Sequence, residues 1–198
     1  MSDMAASQAP QVRTRPITVD EYYRMAEAGI FKPHERVELL NGRIVEMPPI
    51  GPRHAYAVTA LDAALQRLLG GMAAIFCQSD FHLDPFSQPQ PDLAVVRGPL
   101  ERYVDAHPSS ESALLLIEVA ESTLRYDGGE KLHAYARTGV PEYWIIDLVH
   151  GCVELYADPE GDRYRTRRTL YRGEALVPRA FPDVVIPVDD IVPVRARP

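Results

Sequence analysis

Glu118 stands inside Ala113-Leu-Leu-Leu-Ile-Glu-Val-Ala120, a run in which every other residue is apolar. Such a run forms a strand covered on both faces. An ionised carboxylate there is costly unless a cation or hydrogen-bond donors compensate it. The side chain is therefore either half of an internal ion pair or a metal ligand at the end of a central strand. Asp92 follows Pro91 and opens a second strand-like run, Asp92-Leu-Ala-Val-Val96. Alone, an Asp after Pro is an ordinary turn or strand-entry residue. On a strand beside Glu118 it supplies a second oxygen ligand to one hard cation. Mg2+ suits that pair, with Mn2+ as a substitute, because Mg2+ takes few protein carboxylates and keeps waters for chemistry. Lys131 falls early in the helical pattern that follows Glu118. A helix packed back on the sheet would point its ammonium at the strand end, to stabilise charge on a phosphate or orient an attacking water. The plainer reading of Lys131 is a solvated lysine paired with Asp127 at i−4.

These side chains need a scaffold, and the rest of the chain spells one out. Thr18-Val19-Asp20-Glu21 is a capping box, predicting a short helix to Ala28 stopped by Gly29. Arg36 to Met47 reads as a β-hairpin turning at Asn41-Gly42, with Leu40 opposite Arg43 and Glu38 opposite Val45. Val58, Leu61, Leu65, Leu68 and Leu69 recur at helical spacing over about His54–Leu69. Strands are expected over Ala73–Leu83, Asp92–Val96, Ala113–Ala120, Glu142–Asp147, Cys152–Ala157 and Tyr164–Tyr171, with a helix over Asp127–Thr138. Helices alternate with strands early and strands dominate late, which predicts an α/β fold with a mixed sheet flanked by helices. Additional strands lie at the N-terminal hairpin and the C-terminal end.

The chain's 198 residues suit one domain, expected over residues 17–198, after a disordered lead-in over 1–16. No apolar run approaches the roughly 20 residues needed to span a bilayer, and the start lacks a secretory signal, so a cytoplasmic protein without membrane contact is expected. The two cysteines, Cys77 and Cys152, read as buried free thiols. A net charge of −7 excludes a protein that coats nucleic acid through a broad basic surface, but not an enzyme whose carboxylates hold cations. Arg163, Arg165 and Arg167 alternate on one strand face; a charged edge that deters aggregation is favoured over phosphate contact. His54, His82 and Cys77 lack zinc-ligand spacing. His54 reads either as a side chain reaching the site from the start of its helix or, favoured, as a surface histidine, and Tyr143-Trp144 reads as core.

In order, the chain carries Val37-Glu38-Leu39-Leu40-Asn41-Gly42-Arg43-Ile44-Val45, Gln90-Pro91-Asp92-Leu93-Ala94-Val95-Val96 and Ile117-Glu118-Val119. Asp127, Lys131, Tyr135 and Ala136 follow, then Gly139-Val-Pro-Glu-Tyr-Trp-Ile-Ile-Asp147. This succession resembles the PD-(D/E)XK nuclease superfamily and, more narrowly, the bacterial Uma-type family of restriction-endonuclease-like proteins, from about Ile17 to Ile186. The resemblance implies a restriction-endonuclease-like core, with Asp92 and Glu118 as metal ligands, Lys131 as the catalytic lysine and Glu38 as an accessory acid. The superfamily pattern has a lysine two residues after its second acid. Here that position is Ala120, so the role falls on Lys131, as in the narrower family. Glu121-Ser122-Thr123 stands where that family commonly has a Ser-Pro-Ser-Thr-like stretch.

The expected reaction is metal-assisted hydrolysis of phosphodiester bonds in nucleic acid, with DNA as the expected substrate and a homodimer making the two cuts a duplex needs. Two other readings stand beside it: a nuclease fold kept only for binding or assembly, and a hydrolase of small phosphoesters.

Overall fold

The structure is a computed structural model and describes residues 13–193. Most of the expected lead-in therefore lies outside the described residues. Helix α1 (Val19–Glu27) begins at the capping box: Thr18 Oγ1 accepts from the Glu21 amide at 3.2 Å, and Glu21 Oε2 accepts from the Thr18 amide at 3.0 Å. Strands β1 (Val37–Leu40) and β2 (Arg43–Glu46) form the hairpin in the expected register, Leu40 opposite Arg43 and Glu38 opposite Val45. Asn41 and Gly42 take φ of 52° and 70°, as the tight turn requires. At Gly42 a Cβ would lie 2.3 Å from that of Pro16, so no larger residue fits there.

All of β1 is buried, not just alternate residues. The hairpin is wedged between two layers: Val37 and Leu39 pack on Val19 and Tyr22 of α1, while Leu40 joins the core of the main sheet.

Helix α2 (Pro52–Leu69) starts with Pro at its first position, where a missing N–H removes nothing. The main sheet contains β3 (Ala73–Cys77), β4 (Leu93–Arg97), β5 (Ala113–Ala120), β6 (Glu142–Asp147), β7 (Cys152–Glu160) and β8 (Arg163–Tyr171) in that spatial order. Every neighbouring pair is antiparallel except β5 and β6, which are parallel. Parallel neighbours need a crossover. It consists of α3 (Leu124–Tyr126), a π-helical stretch Asp127–Lys131, and α4 (Leu132–Arg137). A small antiparallel pair, β9 (Ala175–Leu176) and β10 (Ile186–Pro187), and α5 (Val188–Ile191) complete the described chain.

The two-residue period of the strands divides the core. Leu93, Val95, Leu115, Ile117, Val119, Trp144 and Ile146 pack on Ala57, Val58, Leu61, Leu65 and Leu69 of α2. Burying each large apolar side chain contributes roughly 1.5–3 kcal/mol, so this row fixes α2 firmly on its face. Ala94, Val96, Leu116, Ala120, Tyr143 and Ile145 pack on the other face, with Leu132 and Tyr135 of α4. The fold is thus a mixed α/β sheet flanked by helices. Among the described residues no helix is long and apolar enough to cross a membrane.

The structure corrects several expectations. The first strand of the sheet stops at Cys77, because Gln78 takes φ of 46° and turns the chain. Cys77 is exposed, whereas Cys152 is buried and free. The single helix expected over Asp127–Thr138 starts earlier, at Leu124, and runs as three helical pieces, the middle one π-helical over Asp-Gly-Gly-Glu-Lys, where two glycines weaken the preference for an α-helix.

Candidate active site

Leu93 pairs with Ile117, so the next step along that antiparallel ladder sets Asp92 level with Glu118. Glu118 shares its sheet face with Leu116 and Ala120, and Asp92 shares the same face with Ala94 and Val96, by strand alternation. Both acids line one recess, with Glu38, Glu121, Asp127 and Lys131 among its other walls.

Asp92 is held by three donors. Its Oδ2 accepts from the Val119 amide at 2.8 Å and bonds His54 Nε2 at 3.1 Å, and its Oδ1 accepts from Gln78 Nε2 at 3.0 Å. Burial pushes this carboxyl up, but the bonds and charge from His54, then the Val119 amide and Gln78, outweigh it and hold the group below the ordinary Asp value. Asp92 is therefore an anion in the folded protein.

Glu118 Oε1 accepts from Lys131 Nζ at 2.9 Å and from the Tyr135 hydroxyl at 2.7 Å. Its Oε2 has no hydrogen-bond donor among the described residues. Burial raises this carboxyl well above the usual carboxylate range; the Lys131 ammonium opposes that, while Asp127, Asp92 and Glu38 add to it. Glu38 Oε2 lies 3.1 Å from Lys131 Nζ and accepts from the Gln90 amide, and Glu38 Oε1 accepts from the Tyr126 hydroxyl at 2.8 Å.

Lys131 is 0% exposed. Burial alone would lower its amine, but Glu118, Glu38 and Asp127 together outweigh that and keep it charged well above the ordinary lysine value. It is no solvated partner of Asp127. It closes the π-helical stretch, and its ammonium sits 5.6 Å from the centre of the Tyr126 ring. The plainer reading of Glu118, an internal ion pair, is met literally, and by the same lysine that the sharper reading uses.

Asp127 is buried. Thr123 Oγ1 donates to its Oδ2 at 2.5 Å, while Oδ1 has no hydrogen-bond partner among the described residues. Burial raises its carboxyl to about 6 against the lowering influence of Lys131 and Thr123. His54 is only 16% exposed and bonds Asp92, so it is part of the site and not a surface histidine. Its buried Nδ1 has no partner among the described residues either. Glu121 pairs with Arg53 at 3.1 Å and lies against Gly51 at the start of α2, a fixed place for the extra acid of that loop.

Tyr126 and Gln78 carry no signal in the sequence, and Tyr135 stands there only as part of the family-like succession, with no role attached. Tyr135 carried a signal, since i+4 from Lys131 is the same helix face; its apolar ring reads equally well as core. The arginines of β8 stand on the outer edge of the sheet, beyond β6 and β7 from Glu118. Arg163, Arg165 and Arg167 pair with Asp162, Glu160 and Glu154. They do not reach the recess.

Among the described residues no group of three or more His, Cys, Asp or Glu side chains is arranged to hold a metal ion. A site with two protein carboxylates completed by water does not need one. Glu118 Oε2 lacks a donor, and Asp92 keeps acceptor capacity on Oδ1, so hard oxygen ligands remain for a cation.

A mixed sheet with buried Asp92 and Glu118 at neighbouring strand ends, and a lysine from the crossover, describes a restriction-endonuclease-like α/β protein. The chain belongs to the Uma2 family, described as "Putative restriction endonuclease", whose pattern matches residues 19–189. The crystal structure of a putative nuclease belonging to DUF820 from Anabaena variabilis ATCC 29413 has the same fold. Its TM-score is 0.71 at 17% identity, covering 89% of this chain and 97% of that one. Comparison with curated proteins gives no significant match.

Proposed function

We propose that the chain is a divalent-metal-dependent endonuclease that hydrolyses phosphodiester bonds of DNA, with Asp92, Glu118, Lys131 and Glu38 as its catalytic group. The observation that carries this reading is Glu118: a buried carboxyl level with Asp92, held on one oxygen by Lys131 and Tyr135 and without a donor on the other among the described residues. Asp92 and Glu118 would hold Mg2+ or Mn2+. Such an ion lowers the pKa of a bound water and offsets charge on the scissile phosphate.

The protein's own part is preorganisation. His54, Gln78 and the Val119 amide fix the Asp92 carboxylate, and Lys131 with Tyr135 fixes Glu118 Oε1. Lys131 brings a permanent positive charge to an acid-lined recess that would otherwise repel a phosphate. Glu38, anchored by Gln90 and Tyr126, keeps that ammonium in place. A duplex needs two cuts, so a homodimer belongs to the same reading.

One observation favours a second reading, a nuclease fold retained for binding. Lys131 is already neutralised between two buried acids. Incubating the protein with labelled DNA and RNA, with and without Mg2+ or Mn2+, separates the two. The expected result is metal-dependent cleavage of DNA that Glu118→Gln abolishes. Binding without cleavage under any divalent ion would overturn the enzyme in favour of the binding module. Hydrolysis confined to a small phosphodiester would point to a small-molecule hydrolase.

A further inference from the structure

Arg36 stands two residues before Glu38, where strand alternation puts both side chains on one face of the hairpin, and both line the acid-rich recess. Its Nη1 donates to the Pro48 carbonyl at 2.6 Å, and the rest of the guanidinium has no partner among the described residues. The lysine and the arginine that line the recess contrast sharply. Lys131 is buried and held between Glu118 and Glu38, whereas Arg36 is half-buried and has no carboxylate within ion-pair distance among the described residues.

An unpaired guanidinium, steadied by one carbonyl at the rim of an acidic recess, is a placed receptor for an anion. Its planar fork matches two oxygens of a phosphate. Resting on the nuclease reading above, we infer that Arg36 contacts a backbone phosphate of the nucleic-acid strand that enters the recess. It holds the strand against the repulsion of the surrounding carboxylates. Phosphate contacts of this kind set register and affinity and carry no sequence information. The contact should therefore be indifferent to base sequence.

The test is the salt dependence of binding of a fluorescein-labelled DNA duplex, with Ca2+ replacing Mg2+, for the wild type, Arg36→Gln, Arg36→Lys and Arg163→Gln. Loss of one phosphate contact should make log K against log salt shallower by roughly one and weaken binding roughly tenfold near 0.1 M salt. Arg36→Gln should show both effects on duplexes of unrelated sequence, Arg36→Lys should keep most of the slope, and Arg163→Gln on the far sheet edge should change neither. Circular dichroism melting confirms that the variants are folded, as expected for a side chain with one hydrogen bond at the surface. A wild-type slope in Arg36→Gln, or an equal loss in Arg163→Gln, overturns the assignment. If Arg36→Gln behaves like wild type while the protein cuts DNA with Mg2+, only the role of Arg36 falls. If its slope drops in a protein that cuts nothing, the nuclease reading falls and the phosphate contact stands. No binding by the wild type sinks both.

Discussion

The Lys131 ammonium lies 2.9 Å from Glu118 Oε1 with both side chains withdrawn from solvent, and the second carboxylate, Glu38, lies 3.1 Å away on the other strand system. One cation thus joins the central sheet to the N-terminal hairpin.

Replacing Lys131 with Met keeps the stem and deletes the charge, leaving two buried acids uncompensated. Removing one partner of a buried ion pair costs about 3–5 kcal/mol, and urea unfolding should show a loss of that order. Adding Glu118→Gln should restore part of it; a double variant no more stable than the single one would mean that the lysine's packing, and not its charge, sustains the fold. In any cleavage assay the single variant should lose turnover by about a hundredfold or more.

Metal binding is readable without turnover. At a hundredfold excess over Kd, a ligand of the native state adds about 2.7 kcal/mol, which raises Tm by roughly 5–10 °C in a chain this size. Mg2+ or Mn2+ should produce such a rise in the wild type, and Asp92→Ala should abolish it. An equal rise in both proteins would remove Asp92 from the ligand set.

Asp127 gives the stability a pH signature. Its carboxyl is raised to about 6 in the folded protein, above the ordinary value of 3.8, so the folded state binds its proton more tightly than the unfolded chain. The favourable contribution is complete below the unfolded value and disappears as pH rises through about 6. Asp127→Asn should lack that decline. The stability difference between wild type and variant should shift by up to about 3 kcal/mol between pH 4 and pH 7, at 1.36 kcal/mol per unit. Parallel pH profiles would show that Asp127 titrates normally.

Tyr135→Phe removes one of the two donors to Glu118 Oε1 and nothing from the apolar contacts of the ring. The expected loss is about 1–1.5 kcal/mol. Cleavage should fall through turnover and not through substrate affinity, since the hydroxyl orients a carboxylate and does not reach the strand. An unchanged unfolding curve would make the bond energetically idle.

Features fixed within a few residues of each other were legible before folding was considered. The Thr18 box and the Asn41-Gly42 turn are local chemistry, and both hold to the residue. Glu118 announced itself because a charge in an apolar run needs compensation wherever the run ends up. The partners of Asp92 could not be read in the same way: His54 opens α2 and Gln78 follows β3, and only packing brings them to one carboxylate. The burial of Lys131 was hidden for a different reason. A regular 3.6-residue period suggests a solvated lysine beside Asp127, and nothing local to the sequence shows that Glu118 and Glu38, from two other strands, enclose it. The short β9, β10 and α5 were too brief for any period to register.

The hairpin that carries Arg36 and Glu38 has consequences for motion. Its two strands form a sheet of their own, tied to the loop before β4 by the reciprocal Leu39–Gln88 bonds and the Gly42 amide on the Phe86 carbonyl. The Ile17 amide on the Gly42 carbonyl ties it to the residues before α1, where β5 and β6 have continuous ladders on both sides. Elements with few backbone ties open below the global unfolding free energy, in units of their own. The amides of Val37–Glu46 should therefore exchange with deuterium before those of β5 and β6, through a local opening that lifts Glu38 from Lys131. In Lys131→Met the two rates should separate further, because the ion pair that latches the hairpin is gone while the ladder between β5 and β6 is untouched. The recess would then be a seam between two bodies, one rigid and one able to lift away, and deuterium uptake would show which wall moves.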